Sequence, residues 1–112
     1  MSDRAKLHPV TDKDDKLVGY SIWCEGCDEP HHIYTSYPGG QNWEFNGNLE
    51  SPTFSPSLLV FGIPASGAYP GHPRCHSFVR NGQMEFLSDC EHKHAGLTVP
   101  LKPWSWEDWG NR

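Results

Sequence analysis

The stretch CHSFVRNGQMEFLS, residues 75–88, has the dipeptide Asn81-Gly82 between two segments of alternating apolar residues. Asn-Gly in this setting is the strongest short-range signal of a β-hairpin, because both residues accept the positive φ angles of a type I′ turn. A two-residue turn would pair Arg80 with Gln83 and set the register of both strands. The stretch therefore predicts a hairpin whose register can be read from the sequence.

The predicted register divides the reactive side chains of this region between the two faces of the hairpin. Side chains alternate between faces along a strand, and directly opposed residues share a face. Cys75 then lies on one face, and Cys90 is the next position of that face beyond the second strand. His76 lies on the opposite face, where Asp89 follows. We expect two thiols on one side and a His–Asp pair on the other.

The remaining segments also favour strands over helices. With 11 Gly and 10 Pro in 112 residues, long helices are disfavoured, and no segment has a convincing amphipathic helical period. The expected fold class is mainly β, a small antiparallel sandwich or curled sheet with a zinc knuckle and long loops. The predicted strands are Leu17–Trp23, His31–Tyr37, Trp43–Asn46, Thr53–Phe61, Cys75–Arg80, Gln83–Ser88 and Leu97–Leu101.

Three regions follow from this pattern. Residues 1–16 are polar and are expected to form a flexible N-terminal segment, residues 17–101 a zinc-stabilised β domain, and residues 102–112 a Trp-rich C-terminal tail. The tail could fold back onto the sheet, or it could anchor a partner, as aromatic side chains do at interfaces. Its tryptophans are Trp104, Trp106 and Trp109.

The composition excludes several classes of protein. Against 14 Asp and Glu there are 9 Lys and Arg, giving a net charge of −5, and the cations are scattered, so no nucleic-acid partner is expected. No apolar stretch is long enough to span a membrane, and the N-terminus lacks the apolar core of a signal peptide. We therefore expect a cytoplasmic protein, in a reducing compartment where cysteines serve as metal ligands or nucleophiles.

The spacing Cys24-Glu25-Gly26-Cys27 between two predicted strands is typical of a zinc knuckle. The hairpin would bring a second thiol pair together, and four protein ligands would make the site closed and structural. His31 and His92 are substitute ligands, and the simpler alternative is four ordinary buried thiols. The expected zinc ligands are Cys24, Cys27, Cys75 and Cys90.

Acid–base residues also cluster in the sequence of the hairpin. Asp89 could orient the ring of His76 or His92, so that the imidazole takes a proton from a hydroxyl nucleophile. The nucleophile would come from a segment stiffened by Pro at both ends. Serines beside prolines are also common turn residues, and His–Asp pairs are often structural. The candidate hydroxyls are Thr53, Ser55 and Ser57.

Several separate motifs occur in an order that resembles one family of short phage and bacterial proteins that contain zinc. The family was formerly of unknown function and is sometimes mislabelled ammonia monooxygenase. It includes the serine peptidases of bacterial ubiquitin-like (Bub) operons, which cut after the C-terminus of the ubiquitin-like protein. The matching residues, between residues 17 and 101, are Asn46-Gly47, Pro52–Ser57, Cys75–Val79, Asn81-Gly82, Phe86–Cys90, His92, Ala95-Gly96 and Thr98-Val99.

The resemblance implies roles for individual residues. Ser57 would be the nucleophile, His76 the general base and Asp89 the residue that orients it, while His92 is the competing base. The implied metal ligands are Cys24, Cys27 and Cys75, with Cys90 as the fourth. The implied partner is a ubiquitin-like protein or its conjugates.

Three functions remain open at this point. The first is a zinc-stabilised serine hydrolase, with an oxyanion stabilised by backbone amides and a cleft bordered by the Gly62–Gly71 loop. The second is a non-catalytic, zinc-binding interaction module of a phage or a defence system. The third is a hydrolase in which zinc itself activates water.

Overall fold

The protein, as described by a computed structural model covering residues 5–61 and 74–110, consists of two antiparallel sheets. The first has the order β1-β2-β3 and the second the order β4-β5-β6-β7-β8. The mainly β fold class is thereby confirmed. The strands are β1 (His8–Thr11), β2 (Leu17–Cys24), β3 (Glu29–Tyr34), β4 (Glu44–Phe45), β5 (Phe54–Phe61), β6 (Arg74–Arg80), β7 (Gln83–Phe86) and β8 (Thr98–Pro100), followed by the short helix α1 (Trp106–Gly110).

The hairpin of β6 and β7 has the register predicted from its turn. Arg80 pairs with Gln83, and the pairing continues inward from there as expected. Asn81 has a φ of 51° and Gly82 a φ of 77°, so both residues adopt the left-handed conformation that a type I′ turn requires. Each of the other predicted strands is also present, with ends that differ by a few residues.

The hydrophobic core lies between the two sheets. Ile22 and Ile33 contribute from the first sheet, and both are fully buried. The second sheet contributes inward residues of β5, β6 and β7, and those of β6 and β7 alternate with exposed or half-buried neighbours. The buried residues of this cluster in the second sheet are Phe54, Leu58, Cys75, Val79, Met84 and Phe86.

Residues 5–16, the described part of the segment 1–16 that was expected to be flexible, include a strand. His8–Thr11 form β1, which pairs with β2, and Leu7 is buried in the core. The polar residues that follow form the turn of this hairpin, because the Asp12 carboxylate accepts hydrogen bonds from the backbone N–H groups of Asp14 and Lys16. The polar composition therefore marks a turn between two strands.

The C-terminal segment folds back onto the sheets. Trp104 is fully buried and packs against Trp23, with 5.6 Å between the ring centroids. Its backbone N–H donates to the Ala5 C=O at 3.2 Å, and its indole N–H donates to the Lys6 C=O at 3.3 Å. Trp106 is 45% exposed, and the side chain of Trp109 lies outside the described part of the chain. No helix among the described residues is long and apolar enough to cross a membrane.

We expect Trp104→Ala to lower the free energy of unfolding by about 3–5 kcal/mol, because it removes a large and fully buried side chain. Trp106→Ala is the matched control, and we expect less than half of that loss because its side chain is partly exposed. Urea unfolding followed by circular dichroism measures both values. Equal losses in the two variants would contradict the docking of the C-terminal segment through Trp104.

Candidate active site and metal centre

Strand β6 separates two groups of reactive side chains. Cys75 is 1% exposed and faces the core, whereas His76 is half-buried on the outer face of the second sheet. Because neighbouring residues of a strand point to opposite faces, these two side chains cannot share one site. The thiols and the acid–base residues are therefore on opposite sides of this sheet.

Ser57, His76 and Asp89 form a chain of hydrogen bonds on the outer face. Ser57 Oγ lies 3.2 Å from His76 Nε2, and His76 Nδ1 lies 3.2 Å from Asp89 Oδ2. A carboxylate only accepts hydrogen bonds, so the Nδ1–H donates to Asp89 and leaves Nε2 free to accept the Ser57 hydroxyl proton. The side chains of His76 and Asp89 are 27% and 47% exposed, so the group is open to solvent.

An irregular stretch of β5 positions Ser57. Phe54 pairs with Val79 and Leu58 pairs with Ser77, so β5 has two more residues than β6 between these pairs. Both Phe54 and Leu58 remain buried, and Ser57 therefore stays on the outer face. There it is a diagonal neighbour of His76, whose direct partner is Leu59.

A further contact holds the backbone at Ser57. The indole Nε1–H of Trp43 donates to the Ser57 C=O at 3.2 Å. Trp43 also ties this region to the first sheet, because its backbone N–H donates to the Tyr34 C=O at 2.8 Å. The sequence gives no signal for this contact, since the two residues come from different predicted strands.

A tight turn after β7 positions Asp89. The Cys90 N–H donates to the Leu87 C=O at 3.1 Å, and the Glu91 N–H donates to the Arg74 C=O at 2.8 Å. Cys90 Sγ also lies 3.2 Å from the backbone N and 3.1 Å from the backbone O of His76. These contacts bind the turn to the backbone of β6 on both sides of the Asp89 carboxylate.

The arrangement has the geometry that acyl-transfer enzymes use. A hydroxyl beside an imidazole can lose its proton as it attacks a carbonyl carbon, and a carboxylate on the far ring nitrogen stabilises the imidazolium that forms. Ser57, His76 and Asp89 occupy those three positions. The Gly62–Gly71 loop, expected to border a cleft, lies outside the described residues.

A second group, on the inner side, could hold a metal ion. Four residues offer ligand atoms that all lie within 4.8 Å of one another: Cys24, Cys27, His31 and Cys75. The Sγ atoms of Cys24 and Cys75 are 3.7 Å apart. The four cysteines of the chain, which include Cys90, form no disulfide bond. His31 is 3% exposed, and its buried Nε2 has no hydrogen-bond partner among the described residues. A buried nitrogen without a partner beside three sulfurs fits a metal ligand.

The thiols of this group shift one another's protonation. Hydrogen bonds from Cys27 and Cys75 hold the pKa of Cys24 well below its usual range. The same hydrogen bonds, together with burial, raise the pKa of Cys27 and of Cys75 far above theirs. A cation bound among these sulfurs would favour their thiolate forms.

Cys90 lies apart from this ligand group. Its sulfur belongs with Cys75 and His92 in a second set of ligand atoms within 4.8 Å, so the structure differs from the expected set of four cysteines. His31, expected as a substitute ligand, is a member of the group of four, because the alternation along β3 turns its side chain into the core.

His92 lies on the sulfur side of the sheet. Its Nε2 is 3.4 Å from Cys75 Sγ, and its ring contacts the Phe86 ring edge-on at 4.8 Å between centroids. Burial holds the pKa of His92 below its usual range. A side chain at Gly26 would overlap the His92 ring, so any larger residue at this position would have to displace that ring. The structure brings His76, and not His92, to the Ser57 hydroxyl.

Comparisons with known proteins identify one matching family. A family model described as a bacterial ubiquitination-like system serine protease (BubE) matches residues 2–87. The matched range includes Ser57 and His76 and ends two residues before Asp89. Neither the curated proteins nor the solved structures contain a significant match.

We expect His31→Ala and Cys24→Ser to remove the bound metal from the purified protein, because each deletes one ligand of the group. Cys90→Ser is the matched control and should keep one metal ion per chain. Elemental analysis by mass spectrometry measures the metal content of the three variants. Loss of metal in Cys90→Ser together with retention in His31→Ala would instead support the four-cysteine site.

Proposed function

The chain belongs to the family of bacterial ubiquitination-like system serine proteases, and from this premise we propose that it is a zinc-stabilised serine hydrolase acting at the C-terminus of a ubiquitin-like protein. The observation that carries the proposal is the hydrogen-bonded chain of Ser57, His76 and Asp89 on the solvent-facing side of the second sheet. The scissile bond would be a peptide, isopeptide or ester bond at that C-terminus, as a deubiquitinase cleaves.

In the proposed mechanism Ser57 Oγ attacks the carbonyl carbon of the scissile bond. His76 Nε2 takes the hydroxyl proton and later gives it to the leaving group, while Asp89 holds the ring in the required tautomer. The acyl group then resides on Ser57 until a water molecule, deprotonated by His76, releases it. The Asp89 carboxylate stabilises the imidazolium that forms.

Zinc is the metal that the donor set favours, since three thiolates and one imidazole make a closed tetrahedral site. The proposed ligands are Cys24, Cys27, His31 and Cys75. When bound, the ion would cross-link the two sheets and supply no open position for water. Because Cys75 precedes His76 in β6, its attachment would also hold the strand that carries the general base.

The proposed partner is a ubiquitin-like protein or one of its conjugates, as the name of the family indicates. The proposed location is the cytoplasm, where a reducing environment keeps cysteine thiols available for metal. The four cysteines of this chain are all free, which fits that environment.

We expect Ser57→Ala to reduce hydrolysis of a ubiquitin-like protein carrying a C-terminal extension by at least about a thousandfold, because it removes the nucleophile. Ser55→Ala is the matched control, since Ser55 is exposed on the same strand two residues earlier. Mass spectrometry of the released extension measures the rate, and metal content reports on folding. Cleavage by Ser57→Ala at the wild-type rate would contradict the proposal.

We expect His76→Ala to lose about as much activity as Ser57→Ala, and Asp89→Asn to lose less because its carboxylate is half-exposed. The double variant Ser57→Ala/His76→Ala should be no slower than either single variant, since the residues act as one unit. Steady-state kinetics on the same substrate give these values. Two results would count against His76 as the base. One is a double variant whose loss of activity equals the product of the two single losses, and the other is a larger loss of activity on substituting His92 than on substituting His76.

A further inference from the structure

Among the described residues, strand β5 has an open edge beside Ser57. On one side β6 pairs with β5 as far as Phe61. On the other side β4 pairs only with Phe54 and Ser55. Within residues 5–61 and 74–110, no strand pairs with that second edge beyond Ser55. An unpaired edge presents backbone N–H and C=O groups to any extended chain that reaches it.

The backbone groups of Leu59 point off this open edge. Leu59 is the partner of His76 in the pairing of β5 with β6. His76 directs its C=O to the Leu87 N–H at 2.9 Å and its N–H to Cys90 Sγ, both away from β5. Leu59 and His76 therefore form a non-hydrogen-bonded pair of the antiparallel ladder, in which the backbone groups of both residues point away from the partner strand. The N–H and C=O of Leu59 therefore face the open edge.

Trp43 marks one end of the open edge. Its indole N–H already occupies the Ser57 C=O, and Trp43 directly precedes β4, the strand that pairs with this edge of β5. A chain bonded to Leu59 therefore has no free partner at Ser57. It would leave the plane of the sheet there, beside the Ser57 hydroxyl.

The side chain of Leu59 adds an apolar contact at the same place. It is 53% exposed and lies on the outer face with Ser57 and His76. An exposed leucine next to a hydroxyl and an imidazole is available to a bound chain, and its burial there would be favourable.

We propose that the open edge of β5 binds the extended C-terminal tail of the substrate polypeptide as an added strand. The Leu59 N–H and C=O would bond to the tail backbone, and the Leu59 side chain would contact one tail residue. Going inward from the edge of the sheet, the order is then the tail, Ser57, His76 and Asp89. The carbonyl group of the tail would lie on one side of Ser57, and His76, the proposed base, lies on the other. This assignment rests on the proposed serine hydrolase function and names its substrate-binding element.

Backbone pairing and side-chain contact can be separated at one position. A fluorescein-labelled peptide with the tail sequence of a ubiquitin-like protein is titrated against Ser57→Ala and its double variants, with fluorescence anisotropy as the readout. Adding Leu59→Pro removes an N–H that no described residue uses, and we expect about tenfold weaker binding. Adding Leu59→Ala keeps the N–H and should weaken binding less. Circular dichroism confirms that each variant is folded.

A second measurement leaves the protein unchanged. Peptides carrying one N-methyl group at successive backbone positions are titrated against Ser57→Ala. An added strand donates only alternate N–H groups to its neighbour. We therefore expect N-methylation at every second position of the peptide to weaken binding, and N-methylation at the positions between to change it little. A side-chain-only mode of binding predicts no such period.

Each outcome decides the matter. Weaker binding by Leu59→Pro with a period of two in the methylated series supports the added strand, even if the wild-type protein cleaves nothing and the proposed hydrolase function fails. Unchanged affinity in Leu59→Pro, or a methylated series without a period, overturns the added strand while leaving the hydrolase function intact. A third result is a protein that binds no peptide and forms concentration-dependent dimers that Leu59→Pro abolishes. That result would assign the edge to a second copy of the chain and would also overturn the proposed binding of the tail.

Discussion

The alternation of side chains along β6 is the constraint on which the site depends. Cys75 and His76 are neighbours in the chain, yet the pleat directs one into the core and the other to solvent. The turn at Asn81-Gly82 fixes that alternation, because a slip of one residue would exchange the two faces. One strand thereby carries both a cysteine of the inner group that could hold a metal ion and the imidazole of the outer hydrogen-bonded chain.

The two groups support each other through the backbone they share. A domain of this size buries a limited core, so a metal cross-link between β2, β3 and β6 would add stability where apolar burial is small. Cys90, in the turn after β7, is not a member of the group of four, but its sulfur contacts the backbone N and O of His76 in β6. The His76 imidazole is therefore carried by β6, whose backbone contacts Cys90 and whose neighbouring Cys75 would be held by the metal ion.

The irregular stretch of β5 lies beside the open edge of the second sheet. The two extra residues between Phe54 and Leu58 interrupt the regular pairing next to Ser57, and irregularities of this kind are common beside functional residues. Trp43 then holds the Ser57 carbonyl from the open side. Among the described residues this edge is unpaired beyond Ser55, and an unpaired edge is a liability for aggregation unless another chain pairs with it, as we propose for an extended polypeptide.

The sequence by itself determined the mainly β class, the hairpin register and the separation of Cys75 from His76, because turn chemistry and strand alternation are local properties. It did not determine β1, whose polar flanks resemble a loop until pairing with β2 satisfies its backbone. Only the tertiary structure decided that His31, rather than Cys90, joins the metal group, and that Trp43 contacts Ser57. Those contacts join different strands and sheets, so their geometry depends on how the sheets pack, which no local pattern records.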